Sequence, residues 1–173
     1  THDTQLGMDL IKTLTKGETG SVHIPRFRKE IDDRAEESEW YSVELPVDIV
    51  FFEGWCVSAR AESGTSLSEA INTFEAESDA EGNWRQYVNT CLEGEYRNLF
   101  AMVDHTIMLR VPSFDCILKW RMEQEYKLRL QCESLADGAK HHFMSEAELR
   151  HFIAHFERLT LWMLKDMPSF ADV

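Results

Sequence analysis

The 173-residue chain is poor in basic residues and in cysteine, and it has no long apolar run. Its 18 Lys and Arg residues stand against 31 Asp and Glu residues, which gives a formal net charge of −13. Because nucleic-acid binding needs a basic face to neutralise phosphates, this balance argues against a general nucleic-acid binder. No stretch approaches the roughly 18 consecutive apolar residues of a membrane-spanning helix, so no membrane partner is expected.

The four cysteines are widely scattered, and none has a cysteine or histidine neighbour at the spacing of metal ligands. Neither a zinc site nor a disulfide framework is therefore predicted, and reduced thiols favour a cytoplasmic location. The chain also lacks an initiating methionine and the Gly-rich phosphate-binding loop GxxxxGK[ST]. We expect a fragment of a longer protein.

Residues 47–52 form a run of β-branched and aromatic apolar side chains that is interrupted only by Asp48, and Glu53 and Gly54 follow it. A run that is apolar at nearly every position predicts a strand buried on both faces. An acid at the carboxyl end of such a strand lies where open α/β sheets bind ligands. The alternative is a core strand that ends in a solvated glutamate.

Apolar periodicity predicts helices that alternate with strands. The stripe from Leu6 to Leu14 predicts a first helix, capped by Asp3 or Thr4. Further helices are predicted at 67–80, 84–102, 113–133 and 145–166, the last with a capping box formed by Ser145 and Glu148. Short strands are predicted at 21–25 and 106–111. The alternation predicts a single α/β domain with a mostly parallel sheet and flanking helices.

Two segments carry cationic side chains in this acidic protein. Residues 26–34 mix charges of both signs, which is also typical of a solvated surface. In the helix predicted at 113–133, Arg121, Glu125 and Arg129 lie four residues apart and share one face. They form either a ladder of surface salt bridges or a cationic lid over phosphates.

Six segments, in order, resemble the D-glycerate 3-kinase type of P-loop kinase, which is related to the uridine kinase and phosphoribulokinase group. They are THD at 1–3, IPRF…DDR at 24–34, VFFEGW at 50–55, WRQYVN at 84–89, PSF…WRxxQExKLR at 112–129 and HFERLT at 155–160. The resemblance implies a partial P-loop NTPase-type three-layer fold, with 113–133 as the lid helix. It also implies that the phosphate-binding loop and its strand lie upstream of Thr1, so that residues 1–173 alone are inactive.

The resemblance implies an enzyme that uses ATP and Mg²⁺ to phosphorylate a hydroxyl of a small, acidic, glycerate-like metabolite. Catalysis would rest on Arg121 and on Glu53, the latter acting on Mg²⁺ or on the acceptor hydroxyl. The acceptor would be bound by polar and aromatic residues near the start of the chain: His2, Asp3, Arg26, Lys29, Asp33, Arg34 and Trp55. The nucleotide would be bound by the lid and one further arginine: Arg121, Gln124, Lys127, Arg129 and Arg158.

One position departs from the pattern. Arg28 stands where the family's acceptor segment usually has aspartate, and this change reverses the local charge. The departure leaves open a kinase-like binding or scaffolding protein without turnover, and also a nucleoside or pantothenate-type kinase. The residues have structural alternatives too: Trp55 as ordinary core, and Arg158 as a partner of Glu157. The oligomeric state is left open.

Overall fold

The computed structural model describes residues 2–28, 31, 33–134 and 143–173. The chain divides into two compact units. Unit 1 comprises Thr1–Val57 and Glu95–Asp104, and unit 2 comprises Ser58–Gly94 and His105–Val173. The single kinase-like domain over 1–173 stays a prediction. No helix in the described ranges has the length and apolar character needed to cross a membrane.

The described residues contain both helices and strands, which confirms the α/β class at its coarsest level. The helices are α1 (Thr4–Thr15), α2 (Thr73–Ser78), α3 (Asn83–Glu93), α4 (Glu95–Phe100), α5 (Asp115–Ser134) and α6 (Glu146–Asp166). The strands are β1 (Gly20–Ile24), β2 (Phe27–Arg28), β3 (Asp33–Arg34) and β4 (Tyr41–Leu45). Short 3₁₀ helices cover Glu37–Glu39, Gly64–Ser68 and Met167–Ser169.

Unit 1 is built around α1, which packs against α4 and β1. The Asp3 carboxylate accepts a hydrogen bond from the backbone N–H of Leu6 (3.0 Å), so Asp3, not Thr4, is the N-cap. This bond satisfies one of the N–H groups that the first turn of a helix leaves unpaired. β1 pairs antiparallel with β4, with Val22 opposite Val43, and β2 pairs antiparallel with β3.

Unit 2 is built around α6, on which α5 and α2 pack. α6 begins with the predicted capping box. Ser145 Oγ accepts from the backbone N–H of Glu148 (3.3 Å), and the Glu148 carboxylate accepts from the backbone N–H of Ser145 (2.7 Å). The apolar face of α6 is buried at Leu149, Ile153 and Met163, as the three- and four-residue spacing requires.

The strand predicted at 47–52 is wrong: this segment forms no strand, and Ile49 and Phe51 are 70% and 86% exposed. A strand needs a neighbour for its backbone N–H and C=O groups. In the described part of the chain the strands pair only as β1 with β4 and β2 with β3, both antiparallel. The mostly parallel, P-loop NTPase-type sheet is therefore not confirmed and stays a prediction.

The strand predicted at 106–111 is also absent, although its start is held by backbone hydrogen bonds. Asp172 N–H donates to Thr106 C=O (2.9 Å), and Met108 N–H donates to Val173 C=O (2.8 Å). Beyond this point the segment is open to solvent, and Leu109 is 92% exposed. Two such bonds anchor the segment without extending it into a sheet.

The helices predicted at 113–133 and 145–166 are present as α5 and α6. The helix predicted at 84–102 is divided into α3 and α4 because Gly94 leaves helical dihedral angles (φ −99°, ψ −101°). The helix predicted at 67–80 is reduced to α2, with the 3₁₀ helix Gly64–Ser68 before it. β4 was not predicted, although its apolar and polar residues alternate as in a half-buried strand.

Candidate functional site

The N-terminus of α1 brings together several residues predicted to bind an acceptor. The His2 ring nitrogen Nδ1 lies 2.8 Å from the hydroxyl of Tyr96, which also accepts from the backbone N–H of His2 (3.0 Å). Tyr96 is buried in α4, whereas His2 is exposed. The two rings meet edge to face, with centroids 5.9 Å apart. A buried tyrosine therefore holds an exposed histidine.

A second contact joins the same place to β3. Arg34 Nη1 donates to Asp3 Oδ2 (3.2 Å), while the other oxygen of Asp3 caps the helix. Next to it, Thr4 Oγ1 donates to Glu95 Oε2 (3.2 Å). Asp3 and Arg34 are each half exposed. We call His2, Asp3, Arg34 and Tyr96 the α1 cluster; it contains an exposed imidazole, a half-exposed guanidinium and a carboxylate.

The other residues predicted on the acceptor segment lie near this cluster in sequence but contact different groups. The Arg26 guanidinium lies 5.8 Å from the ring centroid of Tyr41. Asp33 Oδ1 accepts from the backbone N–H of Arg34 (2.7 Å) and so shapes the turn into β3. Lys29 lies outside the described residues. Their acceptor-binding roles stay predictions.

Glu53 and Trp55 lie on the exposed loop that follows the apolar run. Glu53 is exposed, and in the described ranges no hydrogen bond or ion pair joins it to the α1 cluster. Trp55 is 48% exposed, so the alternative of an ordinary core tryptophan is not what the structure shows. The catalytic role of Glu53 stays a prediction.

The predicted lid residues lie on α5 in unit 2. Arg121 donates from Nη1 to Gln124 Oε1, and its Nη2 lies 3.6 Å from Glu125 Oε1. Its guanidinium also lies 5.6 Å from the ring centroid of Phe152 on α6. Arg121 Nε is buried, and the described structure offers it no acceptor. The predicted i,i+4 ion pair is present, and Arg121 keeps one unsatisfied donor.

The remaining lid cations make exposed contacts. Lys127 Nζ lies 2.6 Å from Glu123 Oε1, and this pair lowers the pKa of Glu123. Arg129 does not join the ladder with Glu125; its guanidinium lies over the ring of Phe143, 5.2 Å from the centroid. Both cationic groups face solvent on one helix, which a lid over phosphates requires.

Arg158 lies at the centre of a largely buried polar network, and its predicted role in nucleotide binding stays a prediction. Its Nε and Nη2 donate to the two oxygens of Glu75 (2.8 and 2.7 Å), which is a bidentate pair. Nη1 donates to Ser66 C=O (3.1 Å), Nη2 to Glu69 C=O (2.6 Å), and Nη1 lies 3.5 Å from Glu62 Oε2. Its guanidinium therefore holds the segment 62–75 against α6.

The ionisation of this pair follows from its contacts. Burial opposes the charge on Glu75, but hydrogen bonds from Arg158 and from the backbone N–H of Ile71 outweigh it and lower the pKa of Glu75. The hydrogen bond to Glu75 raises the pKa of Arg158 against the opposing effect of burial. Both groups are charged in the folded protein, and each stabilises the other.

Sequence reasoning missed a second anchor of the same segment, at α3. Arg85 Nε donates to Leu67 C=O (2.7 Å), and its Nη1 lies 3.2 Å from Asp79 Oδ2. Asn89 accepts from the backbone N–H of Glu62 (2.6 Å) and donates to Glu62 C=O (3.0 Å). Two of the six family-like segments, 84–89 and 155–160, thus supply side chains that fix 62–75. The only local sequence signal for this anchor was the position of Arg85, a charged residue within the apolar stripe of a helix.

The described residues offer little for a metal ion. No group of three or more His, Cys, Asp or Glu side chains lies together within them. Mg²⁺ in kinases is usually held by one or two carboxylates together with phosphate oxygens and water. Glu53, as a single exposed carboxylate, fits the protein's part of that donor set.

Comparison with known proteins relates the chain to kinases. It is 26% identical over 161 residues to a Schizosaccharomyces pombe protein named "Uncharacterized kinase mug58", covering 90% of this chain and 54% of that protein. It is 24% identical over 161 residues to an Arabidopsis thaliana protein named "D-glycerate 3-kinase, chloroplastic", covering 90% of this chain and 31% of that protein.

No family model and no solved structure matches the chain. The chain spans about half the length of one relative and about a third of the other. Over nine-tenths of its own length, the chain is similar to proteins that are named kinases.

Proposed function

We propose that this chain is the acceptor-binding and lid part of an ATP-dependent kinase that phosphorylates a hydroxyl of a small, acidic, glycerate-like metabolite. The observation that carries the proposal is the similarity to two proteins named kinases, one of them a D-glycerate 3-kinase, over 90% of the chain. The contacts of the α1 cluster and of α5 support it.

The α1 cluster supports an acidic acceptor. Arg34 uses Nη1 for Asp3 and is half exposed, so its other donors remain accessible to a ligand. A guanidinium has five N–H donors in a planar fork that matches a carboxylate. The ion pair with Asp3 holds the Arg34 guanidinium in place, and the hydrogen bond from the backbone N–H of Leu6 holds Asp3. Arg34 would therefore bind the carboxylate of the acceptor, and His2 and Asp3 would contact its hydroxyls.

The exposed face of α5 supports the part of the proposal in which α5 binds the phosphates of ATP. Phosphoryl transfer depends on cations that neutralise the charge developing on the transferred group. Arg121 is partly exposed there, with Nη1 on Gln124 and Nη2 near Glu125, and its guanidinium would bind a phosphate oxygen. Gln124, Lys127 and Arg129 would complete the lid. Arg158 has its donors engaged, and we assign it to holding segment 62–75.

The proposal includes a phosphate-binding loop in a segment upstream of Thr1, and it assigns Mg²⁺ and the acceptor hydroxyl to Glu53. When bound, Mg²⁺ would supply positive charge that neutralises the phosphates, and Glu53 would be its ligand from this chain. The exposed side chains Ile49 and Phe51 support an upstream segment, because apolar surface of this kind marks a place where further protein packs. Residues 1–173 alone would then be inactive.

One observation favours a second candidate, a kinase-like binding protein without turnover. Arg28, which stands where the related acceptor segment has aspartate, lies 3.5 Å from Glu39 Oε1. A cation already paired with a neighbouring carboxylate does not replace the chemistry of an aspartate. If an aspartate at position 28 were needed for turnover, this protein would bind its ligands but would not catalyse phosphoryl transfer between them.

The experiment is a coupled ADP-release assay on the protein with its upstream segment, with glycerate, pantothenate and a nucleoside as acceptors. We expect turnover with glycerate that needs Mg²⁺. Glu53→Gln should lower kcat by about 10²-fold or more if Glu53 acts on the acceptor hydroxyl or the metal. Glu44→Gln, which removes an exposed carboxylate from β4, is the matched control. Activity of Glu53→Gln within a few-fold of the control would remove Glu53 from the site.

A further inference from the structure

Two histidines that are one helical turn apart lie side by side on α6. His151 and His155 are separated by four residues, which places them on the same face of the helix. Both side chains are exposed, and their ring centroids are 5.3 Å apart with the ring planes nearly perpendicular, at 85°. The proposed phosphoryl transfer uses neither of them.

The helix backbone determines which ring nitrogen of His155 carries the proton. Its Nδ1 lies 3.0 Å from the C=O of His151 and 3.1 Å from the C=O of Phe152. A carbonyl oxygen can only accept a hydrogen bond, so Nδ1 is the protonated nitrogen. In the neutral imidazole, Nε2 then keeps a lone pair that can bind a ligand. Among the described residues, none forms a hydrogen bond with this Nε2 or with either ring nitrogen of His151.

An aromatic side chain of α2 packs against both imidazoles. The ring centroid of Phe74 lies 3.8 Å from that of His155, and it lies 5.4 Å from that of His151 in an edge-to-face arrangement. Because α2 packs on α6, this contact restricts the rotation of the two rings. Less conformational entropy is therefore lost when a ligand binds to both of them.

We propose that His151 and His155 form a two-histidine binding site for a divalent transition-metal ion of the zinc, nickel or copper group. Imidazole nitrogen suits these ions, whereas Mg²⁺ prefers oxygen ligands. Two imidazoles on one tetrahedral ion, with Zn–N bonds of about 2.0–2.1 Å, have ring centroids roughly 5 Å apart, and the observed separation is 5.3 Å. A ligating histidine also usually donates its other N–H to a carbonyl or carboxylate oxygen, as His155 does.

The ion would bind to the folded helix in preference to the unfolded chain. The two ligands lie on adjacent turns of α6, and they come together only when those turns are helical. A ligand that binds the folded state alone stabilises it. Two protein ligands leave the other coordination positions to water. The site does not depend on the proposed kinase activity.

The test is isothermal titration calorimetry of the reduced protein with Zn²⁺ alone, at a pH of about 7.5, where an unperturbed imidazole is neutral. We expect one Zn²⁺ ion at this site. His151→Gln and His155→Gln should each weaken its binding about tenfold or more, because loss of even an outer-shell partner of a metal site typically costs that much. His23→Gln, which removes an exposed histidine from β1, is the matched control and should leave the binding unchanged.

Two outcomes would overturn the inference. One is a Zn²⁺ affinity that is the same in the wild type and in the variant that lacks both histidines. The other is a loss of only part of the bound Zn²⁺ in each single variant, with the rest held at unchanged affinity, since the two histidines would then bind separate ions. Either single variant tests the chelate, so one that fails to fold leaves the other.

A second readout is urea unfolding with and without saturating Zn²⁺. The ion should raise the urea midpoint of the wild type and of His23→Gln, and it should leave the midpoint of His151→Gln nearly unchanged. Equal shifts in all three proteins would contradict the site. Neither readout uses phosphoryl transfer, so a failure of the proposed function is distinguishable from a failure of this inference.

Discussion

Replacement of Arg158 by methionine should destabilise unit 2 strongly, because it leaves Glu75 charged and buried. The pair is bidentate at 2.7 and 2.8 Å, and the two side chains are 13% and 11% exposed. Removing one partner of a buried ion pair costs about 3–5 kcal/mol. The substitution also removes the donors to Ser66 C=O and Glu69 C=O. Against a typical stability of about 5–15 kcal/mol, this loss is large.

The chain contains a matched control on the same helix. Arg150 Nη2 lies 2.6 Å from Glu146 Oε1, as close as Arg158 to Glu75, but these side chains are 62% and 50% exposed. Exposed pairs contribute about 0–1 kcal/mol, so Arg150→Met should cost at most that amount. The assay is urea unfolding followed by tryptophan fluorescence, with free energies from linear extrapolation.

The outcome that refutes this reasoning is equal destabilisation by Arg158→Met and Arg150→Met. A double variant, Glu75→Gln with Arg158→Met, separates the pair from its surroundings. Removing the stranded charge should recover part of the loss, because Glu75 is then neutral. If the double variant is less stable than Arg158→Met alone, the buried carboxylate is not the cause of the cost.

Three further predictions concern stability. Gly82 has φ +75°, and a Cβ there would lie 2.9 Å from the guanidinium of Arg85. Gly82→Ala should therefore lower the free energy of unfolding, measured in urea, by about 1–2 kcal/mol or more. An unchanged urea midpoint would contradict this. Ser145→Ala, which removes the cap of α6, should cost about 1 kcal/mol in the same assay, and a neutral effect would contradict it. The pKa values of Glu75 and Asp79 are lowered in the folded protein, so the unfolded chain takes up protons first as the pH falls. The stability that these two carboxylates contribute is therefore present above the ordinary carboxyl pKa range and is lost as the pH falls below it. Urea midpoints that do not fall as the pH is lowered from about 7 into this range would contradict the prediction.

The helices α1, α5 and α6 follow from the sequence because their signals are local. The N-cap Asp3 and the capping box of Ser145 and Glu148 each lie within four residues of the groups they bind. The apolar spacing of α6 similarly marks the face that is buried. Such signals depend on the chain's own neighbours, so sequence reasoning reads them correctly.

The segments 47–52 and 106–111 show what local signals leave out. Both are apolar enough for buried strands, but a strand exists only where a second strand supplies its hydrogen bonds. That partner is far away in sequence, and no local pattern reports its position. β4, in contrast, carries a visible alternation of apolar and polar residues that the prediction overlooked.

The candidate site shows the same difference between local and long-range signals. The resemblance selected His2, Asp3 and Arg34; the structure pairs Arg34 with Asp3, the neighbour of His2, and their roles in binding stay predictions. Tyr96, which binds His2 from 94 residues away, has no sequence signal that links the two. For Arg158 the family-like motif identifies the position but not the contacts of the side chain. The structure shows that the N–H donors of Arg158 bind Glu75 and the backbone of segment 62–75.

The proposed binding of an acidic acceptor by the α1 cluster has its own test. Arg34→Gln, in the protein with its upstream segment, should raise KM for glycerate about tenfold or more, because a charge-assisted hydrogen bond is lost, while KM for ATP stays unchanged. Arg97→Gln removes an exposed cation from α4 and is the control. Equal effects of the two variants would remove Arg34 from the acceptor site.

The central claim is phosphoryl transfer to a small acidic metabolite, and ³¹P NMR of the reaction tests it most directly. The protein with its upstream segment is incubated with ATP, Mg²⁺ and D-glycerate. We predict a new phosphomonoester resonance that grows in step with ADP and that is absent without glycerate. ADP formed together with inorganic phosphate alone, or no consumption of ATP with any acidic acceptor, would contradict the account.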